Sequence, residues 1–139
     1  EKNKQPALAS VNALIAGDID AVVKDGPADG GVTDYGDGSM PPTIGVDSIK
    51  AALHMWRGAM SEYKGENMWA IADGDQVAVF ADWSGTFKTD FMGMPTTGKS
   101  FKMKDCDIFK FNSEGKIIEH RNVQSPGTML SQMGIEMPH

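Results

Sequence analysis

The sequence predicts an α+β domain in which helices cover one face of a bent antiparallel sheet, and three observations predict it. The first half places apolar residues at helical spacing. The second half reads as alternating strands joined by short turns, and no βαβ alternation or internal repeat interrupts that order. With 139 residues, 40% of them hydrophobic, the chain has enough apolar surface for one core, and no internal linker divides it. A single domain spanning 1–139 is therefore expected.

The helices come first. Leu8, Val11, Leu14 and Ile15 mark a helix over Ala7 to Ile15, closed by Gly17, and Asp18 is placed to cap a second helix running to about Lys24. Gly26-Pro27 breaks it, and Asp29-Gly30-Gly31 makes a turn. Val32 to Tyr35 reads as a brief strand, and the Gly, Ser and Pro residues of Gly36 to Thr43 predict an irregular loop. A third helix starts near Asp47, with Ile49, Leu53, Trp56 and Met60 forming one apolar stripe meant for a sheet.

From Glu66 onward the period becomes that of strands. Asn67 to Ala72 and Gln76 to Phe87 flank the turn Asp73-Gly74-Asp75. Thr89 to Lys99, with Gly93, Pro95 and Gly98, is a long connection. Ser100 to Phe111 and Lys116 to Gln124 then form a last hairpin about Asn112 to Gly115. Met129, Leu130, Met133 and Ile135 predict a terminal helix, stopped by Pro138.

Composition removes several classes of function. A net charge of −6 and scattered Lys and Arg residues argue against nucleic acid or an anionic membrane as partner. No apolar run nears the ~20 residues of a membrane span, so a soluble protein is expected. The polar start at Glu1 suits a mature chain after signal cleavage, and a removed tag would look the same. Cys106 is the single cysteine, which excludes an intramolecular disulfide and leaves the compartment open.

The last hairpin carries the chemistry. Pairing Phe111 with Ile118 sets Phe109 opposite His120, Asp107 opposite Asn122 and Asp105 opposite Gln124, all on the inward face. That face is apolar near the turn and polar beyond it, which suggests a binding cavity rather than a plain core. The alternatives are a mutually satisfied hydrogen-bond network, or a register one residue off that turns these groups to water. His120 beside carboxylates suits a general acid or base. Asp34-Tyr35 and Asp82-Trp83 each pair an acid with an aromatic on a strand, so one of each pair faces in. Tyr35, Trp56 and Trp83 are candidate cavity walls, as are Met60 and Trp69. No HExxH or CxxC spacing is present, so neither a metal nor another cofactor is expected. No Gly-x-Ser-x-Gly elbow presents a nucleophile.

Gly85-Thr86-Phe87, Phe91 to Lys99, Asp107-Ile108-Phe109-Lys110-Phe111, Gly115 to His120 and Gln132-Met133-Gly134 closely resemble the SnoaL-like polyketide cyclases of the nuclear-transport-factor-like superfamily. Ala16 to Ala21 and Gly45 to Lys50 extend the likeness over nearly the whole chain. The resemblance implies a cystatin-like, cone-shaped α+β barrel with a pocket between sheet and helices, often dimeric through the outer sheet face. It also implies an acid–base Asp on the final strand, helped by a polar residue on the strand before. Here those positions are Asn122, within His120-Arg121-Asn122-Val123, and a place near Asp107.

An amide cannot take a proton, so the base falls to Asp107 or His120 while Asn122 polarises a carbonyl. Two functions follow. One is a cyclase- or isomerase-like enzyme with Asp107, His120 and Asn122 as catalytic residues, acting on a carbonyl compound in a pocket that Asp105 and Gln124 help to line. The other is a non-catalytic module that binds a small hydrophobic molecule, with the polar cluster giving orientation only. A subunit that mainly dimerises is the third possibility. A homodimer is expected in each case.

Overall fold

A computed structural model describes residues 2–124 and 126–135, and the expectations for Glu1 and Pro138 lie outside them. Helix α1 spans Lys4–Ala16 and ends as Gly17 enters the left-handed region at φ 85°, where its N–H meets the carbonyl of Leu14. Asp18 then accepts from the N–H of Ala21 at 3.2 Å and caps α2, Ile19–Val22, which stops short of Lys24. Helix α3, Val46–Gly58, ends before Met60. Met60 leaves the helical stripe to bridge Phe87 in the sheet and is 2% exposed. The Arg57 guanidinium donates to the carbonyls of Leu14 and Ile15, tying the end of α3 to the end of α1.

Six strands form one sheet in the order β2-β1-β6-β5-β4-β3. The strands are β1 (Thr33–Asp34), β2 (Thr43–Ile44), β3 (Lys64–Asp73), β4 (Gln76–Thr86), β5 (Ser100–Phe111) and β6 (Ile117–Asn122). This is the α+β architecture that the periodicities predict, with one addition. The loop expected to run irregularly to Thr43 ends instead in a strand: Thr43-Ile44 pairs with β1, and β1 pairs in parallel with β6, setting Thr33 beside Glu119 and Asp34 beside His120. Two-residue strands are too short to show a period.

Register decides which side chains enter the cone. On β4 the inward set is Val77, Val79, Ala81, Trp83 and Gly85, each buried, while Asp82 faces out and pairs with Lys104 at 2.7 Å. On β3 an extra residue between Glu66 and Trp69, with Asn67 at φ 53°, shifts the pairing so that Trp69 opposes Phe80. That bulge turns Trp69 outward, so it is not a wall of the cavity as its place on the strand suggests. A second irregularity pairs Phe111 with Ile117 instead of Ile118, while Phe109 still meets His120 and Asp107 meets Asn122.

Helix α4, Pro126–Gln132, packs on β5 and buries Met129 and Leu130. Beyond Asn122, strand β6 no longer covers the first half of β5, and Gln132 takes its place. Its Oε1 accepts from the N–H of Lys102 at 2.7 Å and its Nε2 donates to the Lys102 carbonyl at 2.6 Å, satisfying an open sheet edge. The core residues Phe87, Phe111 and Leu130 are at most 1% exposed, each contributing about 1.5–3 kcal/mol through apolar burial. Among the described residues no helix is long and apolar enough to cross a membrane.

Gly65 marks a close approach inside the cone: a Cβ there would lie 2.8 Å from Ile15 Cδ1 and 3.1 Å from Trp83 Cζ3. We therefore expect Gly65→Ala to lower stability by about 1–3 kcal/mol, as overpacking does, in urea unfolding followed by circular dichroism. Ala at the exposed Gly74, where no atom lies within 4 Å, is the comparison; its positive φ carries a smaller backbone cost.

Candidate functional site

The inner face of the sheet and helices α1 and α3 enclose two adjoining lobes. The smaller has a volume of about 100 Å³ and is walled by apolar side chains of α1 and α2, among them Val11 and Val22. The larger, about 290 Å³, extends toward Trp56, Met103 and Met129. Leu14, Leu53, Trp83, Asp34 and Asp107 line both. Apolar walls with a few converging polar groups are the general form of small-molecule sites.

At the junction stands a chain of three charged groups. His120 Nδ1 lies 2.9 Å from Asp34 Oδ1, and its Nε2 lies 2.8 Å from Asp107 Oδ1. The His120, Asp34 and Asp107 side chains are 23%, 28% and 18% exposed, sheltered enough to strengthen the Coulomb attraction. Burial disfavours the imidazolium, but the hydrogen bonds and charges of Asp107 and Asp34 outweigh it and raise the His120 pKa to about 10. Burial likewise pushes the Asp34 carboxyl up, and the His120 partner with the Gly36 N–H brings it below the usual carboxylate range. Both ring nitrogens of His120 are thus engaged by carboxylates, an arrangement that favours the imidazolium.

Asp105 stands apart from that chain. Its Oδ1 accepts from the N–H groups of Cys106, Val123 and Gln124 at 2.7, 3.1 and 2.9 Å, which ends β6 and joins Gln124 to β5 by side chain rather than by ladder pairing. Burial nevertheless dominates and raises its pKa, with the Asp107 charge adding to the effect. Asn122 Nδ2 donates to the Gln124 carbonyl at 2.8 Å. Tyr63, whose hydroxyl is held neutral by burial, joins the wall of the larger lobe and stacks on Trp83 at 5.3 Å.

The geometry brings Asp105, Asp107, Asn122 and Gln124 together with Trp56 and Trp83 around the larger lobe, and sets His120 on the smaller. Tyr35 lines neither lobe, contrary to the expectation from its place on a strand. Its ring lies under the Arg121 guanidinium at 4.1 Å, and Asp34 is the inward member of the pair. In Asp82-Trp83 the choice is the opposite, the aromatic facing in. The signal for Asp34 was present as an acid–aromatic dipeptide, but which residue turns inward depends on β1 lying beside β6. Tyr63 follows the third helix without a strand pattern of its own and gave no such signal. Among the described residues no group of three or more His, Cys, Asp or Glu is arranged to hold a metal ion.

Residues 11–133 match the family described as SnoaL-like polyketide cyclase, and the chain belongs to that family. Solved structures share the fold. A proposed polyketide cyclase from Xanthomonas campestris pv. campestris superposes with a TM-score of 0.82 at 19% identity, covering 94% of this chain and 96% of that one. AclR, a proposed hydroxylase from Streptomyces galilaeus, gives 0.77 at 21% identity over 96% of each chain. A protein of ketosteroid isomerase-like fold from Catenulispora acidiphila gives 0.72 at 18% identity, covering 96% and 97%. No match was found among curated proteins.

The charge state of His120 has a measurable consequence. Its folded pKa of about 10 lies above the ordinary value of 6.5, so between those values the folded chain holds a proton that the unfolded chain has lost. The stabilisation is complete below about pH 6.5 and is lost as pH rises through 10. We expect the His120 ring to remain protonated at pH 8.5 in imidazole NMR spectra, and the melting temperature to fall between pH 7 and 10. In His120→Gln that fall should be shallower.

Proposed function

We propose that this chain binds a small, largely apolar carbonyl compound inside the cone and moves a proton on it, with Asp107 as the base. The observation that carries the reading is the position of Asp107 at the junction of both lobes with one oxygen committed. Its Oδ1 is held by His120, and among the described residues its Oδ2 has no hydrogen-bond partner. The His120 cation, itself held by Asp34, fixes the Asp107 carboxylate in orientation. In the proposed step Asp107 Oδ2 takes a proton from the carbon next to the carbonyl, the C–H electron pair forms the enolate, and the proton is returned to carbon at a new position or to the same one. Burial pushes the Asp105 carboxyl above the usual carboxylate range, the direction that a proton donor to the oxygen requires. Asn122 retains one amide N–H beyond its bond to Gln124, enough to orient a carbonyl.

One observation favours a binding role without chemistry: the position where the family's acid is expected holds the amide of Asn122. Deuterium exchange at the α-carbon of 1-tetralone, a minimal fused-ring ketone, separates the two. The enzyme reading expects the purified protein to accelerate exchange and Asp107→Asn to reduce the rate about a hundredfold or more while ketone binding persists. Binding with equal exchange rates in both proteins would leave the binding role standing and remove the catalytic one.

The outer sheet face supports a homodimer. Trp69 and Phe80 stack there at 4.2 Å, and Trp69 and Ile71 remain 54% and 52% exposed. Their adjacency on a sheet of polar rim is the form of an interaction surface. We expect sedimentation to show a dimer and Trp69→Glu to shift it toward monomer without loss of secondary structure. A wild-type monomer at micromolar concentration would overturn this.

A further inference from the structure

Trp83 is the inward tryptophan of β4, 5% exposed, and it lines both lobes of the cavity. Its Cε3 and Cζ3 atoms face Gly65, where a Cβ would come within 3.3 and 3.1 Å of them. The edge that carries Nε1 is the opposite one, turned away from β3, and one face of the ring is covered by Tyr63. Nε1 is fully buried and has no hydrogen-bond partner among the described residues. An unpaired buried donor costs about 1–3 kcal/mol, and native structures hold few of them. Phenylalanine would fill an apolar wall without that cost.

The polar groups nearby do not fill the role of acceptor. Asp34 Oδ1 and Asp107 Oδ1 are joined to His120, Asp105 Oδ1 accepts three backbone N–H groups, and Asp107 Oδ2, though without a partner among the described residues, does not meet Nε1 either. The lobes also carry more negative than positive charge, with Asp34, Asp105 and Asp107 set against His120. A carboxylate or phosphate would meet repulsion there, whereas an uncharged oxygen acceptor would not.

We propose that the Trp83 indole N–H is the donor that seats the oxygen of a neutral ketone in this cavity, selecting uncharged carbonyl compounds over hydrocarbons and anions. The inference rests on the carbonyl-binding function proposed above and deepens it by naming the group that reads the oxygen. Trp83 acts as a positioning and specificity residue. It brings the carbonyl to the junction where Asp107 stands.

The test uses 1-tetralone and tetralin, which differ by the carbonyl, titrated into protein labelled with ¹⁵N-tryptophan. Trp83→Phe identifies the Trp83 indole signal. The expected result is a downfield shift of that indole proton with 1-tetralone and not with tetralin. We also expect 1-tetralone to bind about tenfold more tightly than tetralin, a preference of the size one hydrogen bond supplies, and Trp83→Phe to abolish it. If Trp83→Phe weakens both ligands equally, or the indole proton responds alike to both, Trp83 is only a wall and the inference falls while the carbonyl-binding function stands. If neither compound binds the wild-type protein, both fall together. Should Trp83→Phe not fold, the comparison of indole shifts in the wild-type protein, assigned through Trp56→Phe and Trp69→Phe, decides alone.

Discussion

The imidazolium of His120 held between two carboxylates is the interaction on which the interior depends. It joins three strands: Asp34 on β1, His120 on β6 and Asp107 on β5. A cation in a sheltered cavity is costly unless its partners are close and well directed. Both ring nitrogens here have a carboxylate oxygen within 2.9 Å. Taking away either carboxylate leaves a charge without its partner, so the parallel pairing of β1 and the antiparallel pairing of β5 support each other. The two-residue strand β1, set between β2 and β6, gains from this chain a side-chain tie beyond its backbone pairing.

Around that chain the cone balances filling against space. Gly65 lacks a side chain where Ile15 and the Trp83 ring crowd the strand. The aromatic cluster of Trp56, Phe87, Phe91 and Phe101, with ring centres 5.5–6.2 Å apart, closes one wall in edge and tilted contacts. The connection after β4 is drawn onto this wall because Thr96, fully buried, bonds the N–H of Phe91 and the carbonyl of Thr89. What remains open is bounded by Asp34, Asp107 and Trp83, the residues with polar groups that line both lobes.

The bulge in β3 links the inside to the outside. One extra residue sends Trp69 to the outer face, where it stacks on Phe80, and so removes a large ring from the cavity. The same irregularity adds twist to the strand. A single backbone feature thus widens the interior and supplies the apolar outer surface.

The sequence alone determined the order and type of the long elements, the limits of β5 and, to within one residue, of β4, and the pairing of Phe109 with His120 and Asp107 with Asn122. These follow from periodicity and from a four-residue turn, both local and repeated over many residues. Family membership was legible for the same reason, in motifs spread along the chain. Tertiary structure alone decided that Asp34 rather than Tyr35 faces inward, that Trp69 faces outward, and that both ring nitrogens of His120 meet carboxylates. Each of these depends on contacts between residues far apart in the chain, or on one bulged residue. Alternation in a two-residue strand does not say which face is inside, and a histidine's charge is set by the carboxylates that the fold brings to it.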